Sequence, residues 1–455
     1  MPNRIDAIEQ GNVMTFSTSD DVYAYLDQFL NFERKLEPKA YRLDRMQALR
    51  RLFGKPDTAY RVVHVAGSKG KGSTATMIAS ILGIDEPAVG LYTSPHLLHF
   101  TERIAINMVP VSERAIIKAA IELADGLATE SPADFPGGET PTYFELLTML
   151  GFLCFRDAGC TSAAIEVGLG GRLDSTNIVE PVACAITPIE LEHTDLLGTT
   201  IPAIAGEKAG IIKAGVPCFT SATRPEALAV IRDKARQMAA PLRVLDEEAA
   251  IDEYSISLSG TRALVRWRDD SLFAGPLELH TPLIGLVQAR NATLAAMLCR
   301  SLGSSVEAIQ QGIERARLRA RFEVMQGEPV VVLDGAHTAD SVRACADDFG
   351  RLFPDGGVLL FGCAKGKPPR PMADALSGLF ASVIITRPGT FKESDPAEIG
   401  AAFSDAGFTV ARVDDTNEAV RLALDEARRR GLPLLVTGSF YLCAAAAAIV
   451  DARDA

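Results

Sequence analysis

The sequence predicts an α/β protein of two domains, each built on a largely parallel sheet, and three observations carry that expectation. At 455 residues the chain is longer than one ordinary hydrophobic core serves. Short β-branched runs alternate with helix-length apolar segments, the pattern of a parallel sheet covered on both faces. An arginine-dense stretch at 315–321 then separates a first set of such segments from a second. The expected domains are 1–318 and 319–455.

The elements follow in order. Residues 20–53 read as helical. Val62-Val63-His64-Val65-Ala66 reads as a strand, followed by the turn Gly67-Ser68-Lys69-Gly70-Lys71-Gly72-Ser73-Thr74 and a helix over 75–82. A second strand over 88–93 ends in Thr93-Ser94-Pro95-His96. Helices are expected at 112–127 and 144–157, joined by a Gly/Pro-rich connection at 131–142. Strands follow at 162–167 and 182–186, a helix at 201–214 and a short strand at Cys218-Phe219. Residues 251–279 switch to shorter alternating segments, read as hairpins closing the first domain, and 291–302 is an Ala-rich helix. The second domain shows strands at 330–333, 357–362, 383–386, 409–413 and 434–437, with helices between them and an alanine run at 444–448 inside the last.

Composition narrows the class. An apolar fraction of 47% with 23% charged residues fits a soluble globular chain, and a net charge of −12 argues against a nucleic-acid or anionic-membrane binder. Eight cysteines without a CxxC pair or Cys/His ligand spacing make zinc and thiol catalysis weak readings. No segment reads as a signal core or a membrane span, so the expectation is a reduced, cytoplasmic protein.

The glycine loop carries the strongest chemical signal. A strand, a curled glycine turn and a helix start together aim backbone N–H groups and a positive helix end at one point, which suits a phosphate. Lys71 adds a point charge, and Ser73 or Thr74 a hydroxyl. The loop departs from the usual phosphate-loop pattern, because Gly72 rather than a hydroxyl residue follows Lys71. Glu166 ends a buried strand before Gly168-Leu169-Gly170-Gly171-Arg172-Leu173-Asp174, at the edge where ligands bind in open parallel sheets. Near a triphosphate it could ligate Mg²⁺. His193, in Glu190-Leu191-Glu192-His193-Thr194-Asp195, stands open between ligand and surface residue. Glu207-Lys208 reads by itself as an exposed charged pair, and Asp334-Gly335-Ala336-His337 as either a capped turn or a nucleotide contact.

Taken in order, these segments closely resemble the folylpolyglutamate synthase/dihydrofolate synthase branch of the Mur ligase superfamily. Further matching pieces are Glu102-Arg103-Ile104, Thr142-Tyr143-Phe144-Glu145, Gly206-Glu207-Lys208-Ala209-Gly210-Ile211, Asn291-Ala292, Arg321-Phe322 and Gly438-Ser439-Phe440-Tyr441. The resemblance implies a P-loop-type ATPase domain that binds ATP and folate, followed by a smaller Rossmann-like glutamate-ligase domain. It implies an ATP-dependent ligase that adds L-glutamate through an acyl phosphate to a folate, to dihydropteroate or to both, a choice the resemblance leaves open. ATP, two Mg²⁺ ions and a monovalent cation are the implied cofactors, and the expected state is a monomer acting on small molecules, with no nucleic acid or membrane partner.

By position, the resemblance assigns Gly67, Ser68, Lys69, Gly70, Lys71, Gly72, Ser73, Thr74, Asn291, Arg321, Asp334 and His337 to ATP. It gives Ser94, Glu166 and His193 to the metals and makes Lys208 a carbamylated lysine that serves as a ligand. Lys71, Lys208, His193 and Glu166 are the implied catalytic set. Thr142, Leu173, Asp174 and Ser175 match the pterin-substrate region, with 43–46 a weaker candidate. Three departures stand out: Ser68-Lys69 in place of Thr-Asn, Thr338 in place of an Asn, and Glu192 in place of an Asp. The rivals are a cell-wall Mur ligase and a non-enzymatic nucleotide switch.

Overall fold

The computed structural model describes residues 15–31, 42–389 and 392–454. The chain divides into two compact units. One comprises Met1–Ala250, Val265–Leu277 and Asn291–Ile313, the other Ile251–Leu264, Glu278–Arg290 and Glu314–Ala455.

The first unit is built on an eight-stranded sheet: β1 (Arg61–Ala66), β2 (Val89–Tyr92), β3 (Ile104–Ile106), β4 (Val109–Pro110), β5 (Ser162–Glu166), β6 (Ala183–Ile186), β7 (Cys218–Thr220) and β8 (Leu242–Val244), in the order β4-β3-β2-β5-β1-β6-β7-β8. Six strands run parallel, and β3 and β4 add an antiparallel edge. The central strands are apolar on both faces because helices cover both. On one face Leu146, Leu150, Phe152 and Ile165 form one cluster and Ile186, Ile204, Ile211 and Ile231 a second, because Ile165 pairs with His64 and Ile186 with Ala66, two residues on in the same strand. Each such side chain contributes roughly 1.5–3 kcal/mol on burial.

The helices begin where the sequence supplies caps. Ser112 caps Glu113–Ala128, Thr142 caps Tyr143–Asp157 and Thr200 caps Ile201–Ala209, each accepting a bond from an N–H of the first turn. The helix expected to reach residue 214 stops at Ala209. A side chain at Gly210 would meet the backbone of Arg172, so this end of the helix is fixed by what packs on it. The single helical region expected at 20–53 is two helices, Ser19–Leu26 and Leu43–Leu52, and residues 32–41 of it lie outside the described residues. The hairpin β3–β4 carried no turn signal, since its loop is Asn107-Met108, with both residues at positive φ, rather than Asn-Gly.

Strands β9 (Ala249–Ser257), β10 (Gly260–Trp267) and β11 (Leu277–Thr281) form a separate sheet in the order β11-β10-β9. The second unit carries β12 (Glu323–Met325), β13 (Val331–Leu333), β14 (Gly357–Phe361), β15 (Phe380–Ile385), β16 (Val410–Arg412) and β17 (Leu434–Thr437), ordered β12-β13-β17-β14-β15-β16. All pair in parallel except β12. Phe349, Leu359, Phe361, Phe403 and Leu435 fill one face. No helix among the described residues is long and apolar enough to cross a membrane.

Candidate active site

The parallel register of the first sheet builds the site. Val65 of β1 pairs with Glu166 of β5, and Ala66 with Ile186 of β6, so the segments after all three strands leave the same carboxyl edge side by side.

After β1 the chain turns through Gly67, at φ +145°, where an added Cβ would lie 1.8 Å from Thr187 Oγ1. Only glycine fits that approach. The Ser68 N–H donates to the Pro188 carbonyl at 2.9 Å, and the Ser68 hydroxyl accepts from the Glu190 N–H at 3.0 Å, tying the loop to the segment after β6. Gly70, at φ +84°, precedes the helix Lys71–Asp85, and an added Cβ there would lie 2.5 Å from Asn291 Oδ1. Asn291 is therefore seated against the glycine loop. Lys71 Nζ donates to the Ser68 carbonyl at 3.3 Å. Gly72, Ser73 and Thr74 are buried within the first turn.

Lys208 is the best-defined reactive group. It is 1% exposed, not half of an exposed pair. Its Nζ donates to the Gly67 carbonyl at 2.7 Å and to Glu192 Oε1 at 3.1 Å. Burial lowers its pKa against the opposing pull of Glu192, with Lys71 helping, to about 8. Burial raises the Glu192 carboxyl, but the lysines Lys71, Lys208 and Lys69 outweigh that and hold it at about 2. Lys69 Nζ stands 4.0 Å from Glu192 Oε2. Glu192 is thus an anion among three lysines, a role not foreseen for it; its place next to His193 was the available signal.

Glu166 is 3% exposed and its Oε2 accepts from the Ser94 N–H at 2.9 Å, bringing two of the expected metal ligands together. A serine hydroxyl and a carboxylate are both hard-oxygen donors by their chemistry, the class that Mg²⁺ takes. His193 is exposed, at φ +48°, ahead of the short helix Thr194–Leu197. Among the described residues no three His, Cys, Asp or Glu side chains are grouped as a metal cluster.

The loop after β5 folds on itself. Asp174 accepts from Leu169 N at 2.8 Å on one oxygen and from Thr176 N at 2.9 Å and Thr176 Oγ1 at 2.5 Å on the other. Burial raises its pKa in spite of those bonds. Both carboxylate oxygens are engaged by the loop, whereas Leu173 and Ser175 on either side are half-buried. The same loop is welded to the Lys208 helix: Arg172 N donates to the Glu207 carbonyl at 2.7 Å, and its guanidinium pairs with Glu207 at 2.8 Å. The Phe144 ring lies against Gly168, 2.4 Å from where a Cβ would stand, next to the helix cap at Thr142.

In the second unit, Asp334 follows β13 and accepts from Phe322 N and Ala336 N, both at 2.8 Å. His337 Nδ1 lies 2.8 Å from the Gly335 carbonyl. The Arg321 guanidinium sits 5.0 Å from the Phe440 ring centroid, and both border Gly335. Arg321 and the Asp334–His337 turn are brought together, and Thr338 caps the next helix through a reciprocal bond with Ser341. The Asp334 carboxylate is a turn cap by its contacts.

Residues 65–299 match the Mur ligase middle domain, and 320–440 match the Mur ligase glutamate ligase domain. The chain is 33% identical over 410 residues to the folylpolyglutamate synthase of Lacticaseibacillus casei, covering 88% of this chain and 92% of that one. It is 37% identical over 413 residues to a probable bifunctional folylpolyglutamate synthase/dihydropteroate synthase of Haloferax volcanii, covering 88% of this chain but 48% of the relative, so it spans about half of that protein. The fold superposes on a Mycobacterium tuberculosis folylpolyglutamate synthase complexed with ADP and AMPPCP with a TM-score of 0.85 at 27% identity, covering 94% and 97% of the two chains.

Proposed function

The chain belongs to the Mur ligase family, in its folylpolyglutamate synthase group, and on that premise we propose that it is an ATP-dependent ligase adding L-glutamate to a folate. The γ-phosphoryl group of ATP passes to a folate carboxylate, the glutamate amine attacks the acyl phosphate, and phosphate leaves the tetrahedral intermediate. Residues 1–318 would bind ATP and folate, and 319–455 would complete the ligation.

The observation that carries this reading is Lys208, buried between the Gly67 carbonyl and Glu192. A pKa near 8 leaves part of it as free amine at neutral pH, and that amine can bond to the carbon of CO₂ with loss of a proton to give a carbamate. The carbamate is an anion on a long arm.

The glycine loop, Lys71 and Asn291 would hold the ATP phosphates. Ser94 and Glu166 would hold one Mg²⁺ and His193, with the Lys208 carbamate, a second. Bound there, Mg²⁺ would neutralise charge on the transferring phosphoryl group. Thr142, Leu173 and Ser175 would face the pterin, with Asp174 holding the loop in shape. All eight cysteines are buried and unpaired, which supports a reducing, cytoplasmic setting.

The test is phosphate release by the purified protein with ATP, Mg²⁺, glutamate and either tetrahydrofolate, dihydropteroate or a muramyl precursor. Release that requires both folate and glutamate supports the reading, and activity with dihydropteroate adds the second synthase function. Release with the muramyl precursor alone, or nucleotide binding without ligation, overturns it.

A further inference from the structure

We propose that Arg45 is a positioning residue of the folate site, fixing Thr142 through Glu145; the proposal rests on the functional reading above. Arg45 lies on the helix Leu43–Leu52, and Glu145 on the helix that Thr142 caps. Their side chains are 2% and 4% exposed, and Arg45 Nε stands 2.8 Å from Glu145 Oε2. That same oxygen accepts from Thr142 N at 2.7 Å and Thr142 Oγ1 at 3.0 Å.

One carboxylate oxygen therefore joins the arginine to both polar groups of the residue expected to touch the pterin. Arg45 also holds the loop leading to Thr142, since its Nη1 pairs with Glu139 at 2.8 Å. Arg42 Nη1 lies where a Cβ on Gly137 would come within 2.4 Å. The two arginines thus grip both ends of the segment from Gly137 to Glu145.

A purely structural purpose fits poorly. A buried ion pair gives little net stability over an apolar pair of equal volume, so its value is geometric. Without the guanidinium, the Glu145 carboxylate loses the buried partner that fixes its orientation and holds Thr142 less firmly. The consequence passes through Thr142 to folate binding, because Arg45 and Thr142 share Glu145 Oε2.

Steady-state kinetics of Arg45→Lys and of the double variant Arg45→Met/Glu145→Gln test this. The double variant leaves no unpaired buried charge and so guards against simple misfolding. The expected result is a folate KM raised about tenfold in the double variant, with kcat and the ATP KM within about threefold of the parent. Arg45→Lys, which keeps the charge but not the fork, recovers part of the loss. Folate KM unchanged while Tm falls overturns the proposal, as do folate KM, ATP KM and kcat worsening together. A parent protein with no folate-dependent turnover overturns the functional reading, and the role of Arg45 with it.

Discussion

Lys208 and Gly67 lie 141 positions apart in the chain and are joined by a 2.7 Å hydrogen bond from Nζ to the carbonyl oxygen. The bond locks the residue proposed as carbamate to the first residue of the glycine loop. Lys208→Ala is expected to lower glutamate ligation by about 100-fold or more, the range seen when one preorganised charge is removed from an active site. The fold should survive, because Lys69 and Lys71 still face Glu192. Circular dichroism with a ligation assay checks both halves, and near-normal turnover would sink the role.

Glu166 is proposed to act by its charge, not its shape. Glu166→Gln keeps an oxygen to accept the Ser94 N–H bond but removes the anion. The Mg²⁺ concentration for half-maximal rate is expected to rise at least about tenfold. Titrating the rate with Mg²⁺ settles the point, and an unchanged curve counts against a ligand role.

How much of this was legible in the sequence depends on how local the signal was. The glycine loop and the strand ending at Glu166 were readable, because glycine punctuation and an apolar run act over a few residues. Lys208 was not. Its neighbours Glu207 and Gly210 suggest an exposed helix end, and only the distant Gly67 and Glu192 make it a buried, shifted amine. Resemblance to a family, not physics, rescued it. Arg45 was visible only within the weaker candidate segment 43–46, and its ion pair was not, since its partner Glu145 is 100 positions away. Asp174 was legible as important but not in its manner, because its bonds to Leu169 and Thr176 exist only once the loop closes.

His64 gives the fold a pH dependence of its own. It is fully buried in β1, and burial, with the Lys213 charge adding to it, lowers its pKa to about 3. The Thr176 hydroxyl donates to Asp174, so its oxygen takes the proton of His64 Nε2 at 2.9 Å, and the ring is held neutral. The unfolded chain binds a proton near pH 6.5, and the folded one does not until about 3. Stability is therefore fully present above 6.5 and falls as pH drops toward 3, by ~1.4 kcal/mol per pH unit. Denaturant unfolding at several pH values should show that slope reduced by the same amount in His64→Gln. Equal slopes would mean the ring ionises in place.

Asp348 works in the opposite direction. Burial, with Asp334 and Asp347 nearby and Arg351 opposing, raises its pKa to about 6. One carboxylate oxygen lies 2.2 Å from where a Cβ on Gly285 would stand. Because the folded pKa exceeds the unfolded value of 3.8, the carboxyl is tolerated below pH 4 and penalised as pH rises through 6. Asp348→Asn should stabilise the protein by about 1 kcal/mol above pH 7, a figure reduced for its partial exposure, and by nothing at pH 4. Thermal melts at the two pH values check it, and a gain of equal size at both would assign the effect to something other than charge.

Gly171 tests whether the loop after β5 and the Lys208 helix must move as one body. An added Cβ would lie 2.7 Å from the Glu207 carbonyl oxygen and 3.0 Å from Lys208 Cα, backbone atoms that cannot swing aside as a side chain could. A methyl group there must push the two segments apart, straining the Arg172 N–H bond to Glu207 and shifting Lys208 from Gly67 and Glu192. Overpacking of this kind costs roughly 1–3 kcal/mol of stability, but its effect on ligation should be larger. A displacement of about 1 Å at a reacting group costs on the order of 100-fold in rate. Gly171→Ala is therefore expected to lose most of its kcat while remaining folded at assay temperature. Loss of folate affinity alone would show that the loop yields and the lysine stays, and the two segments would then be separate devices.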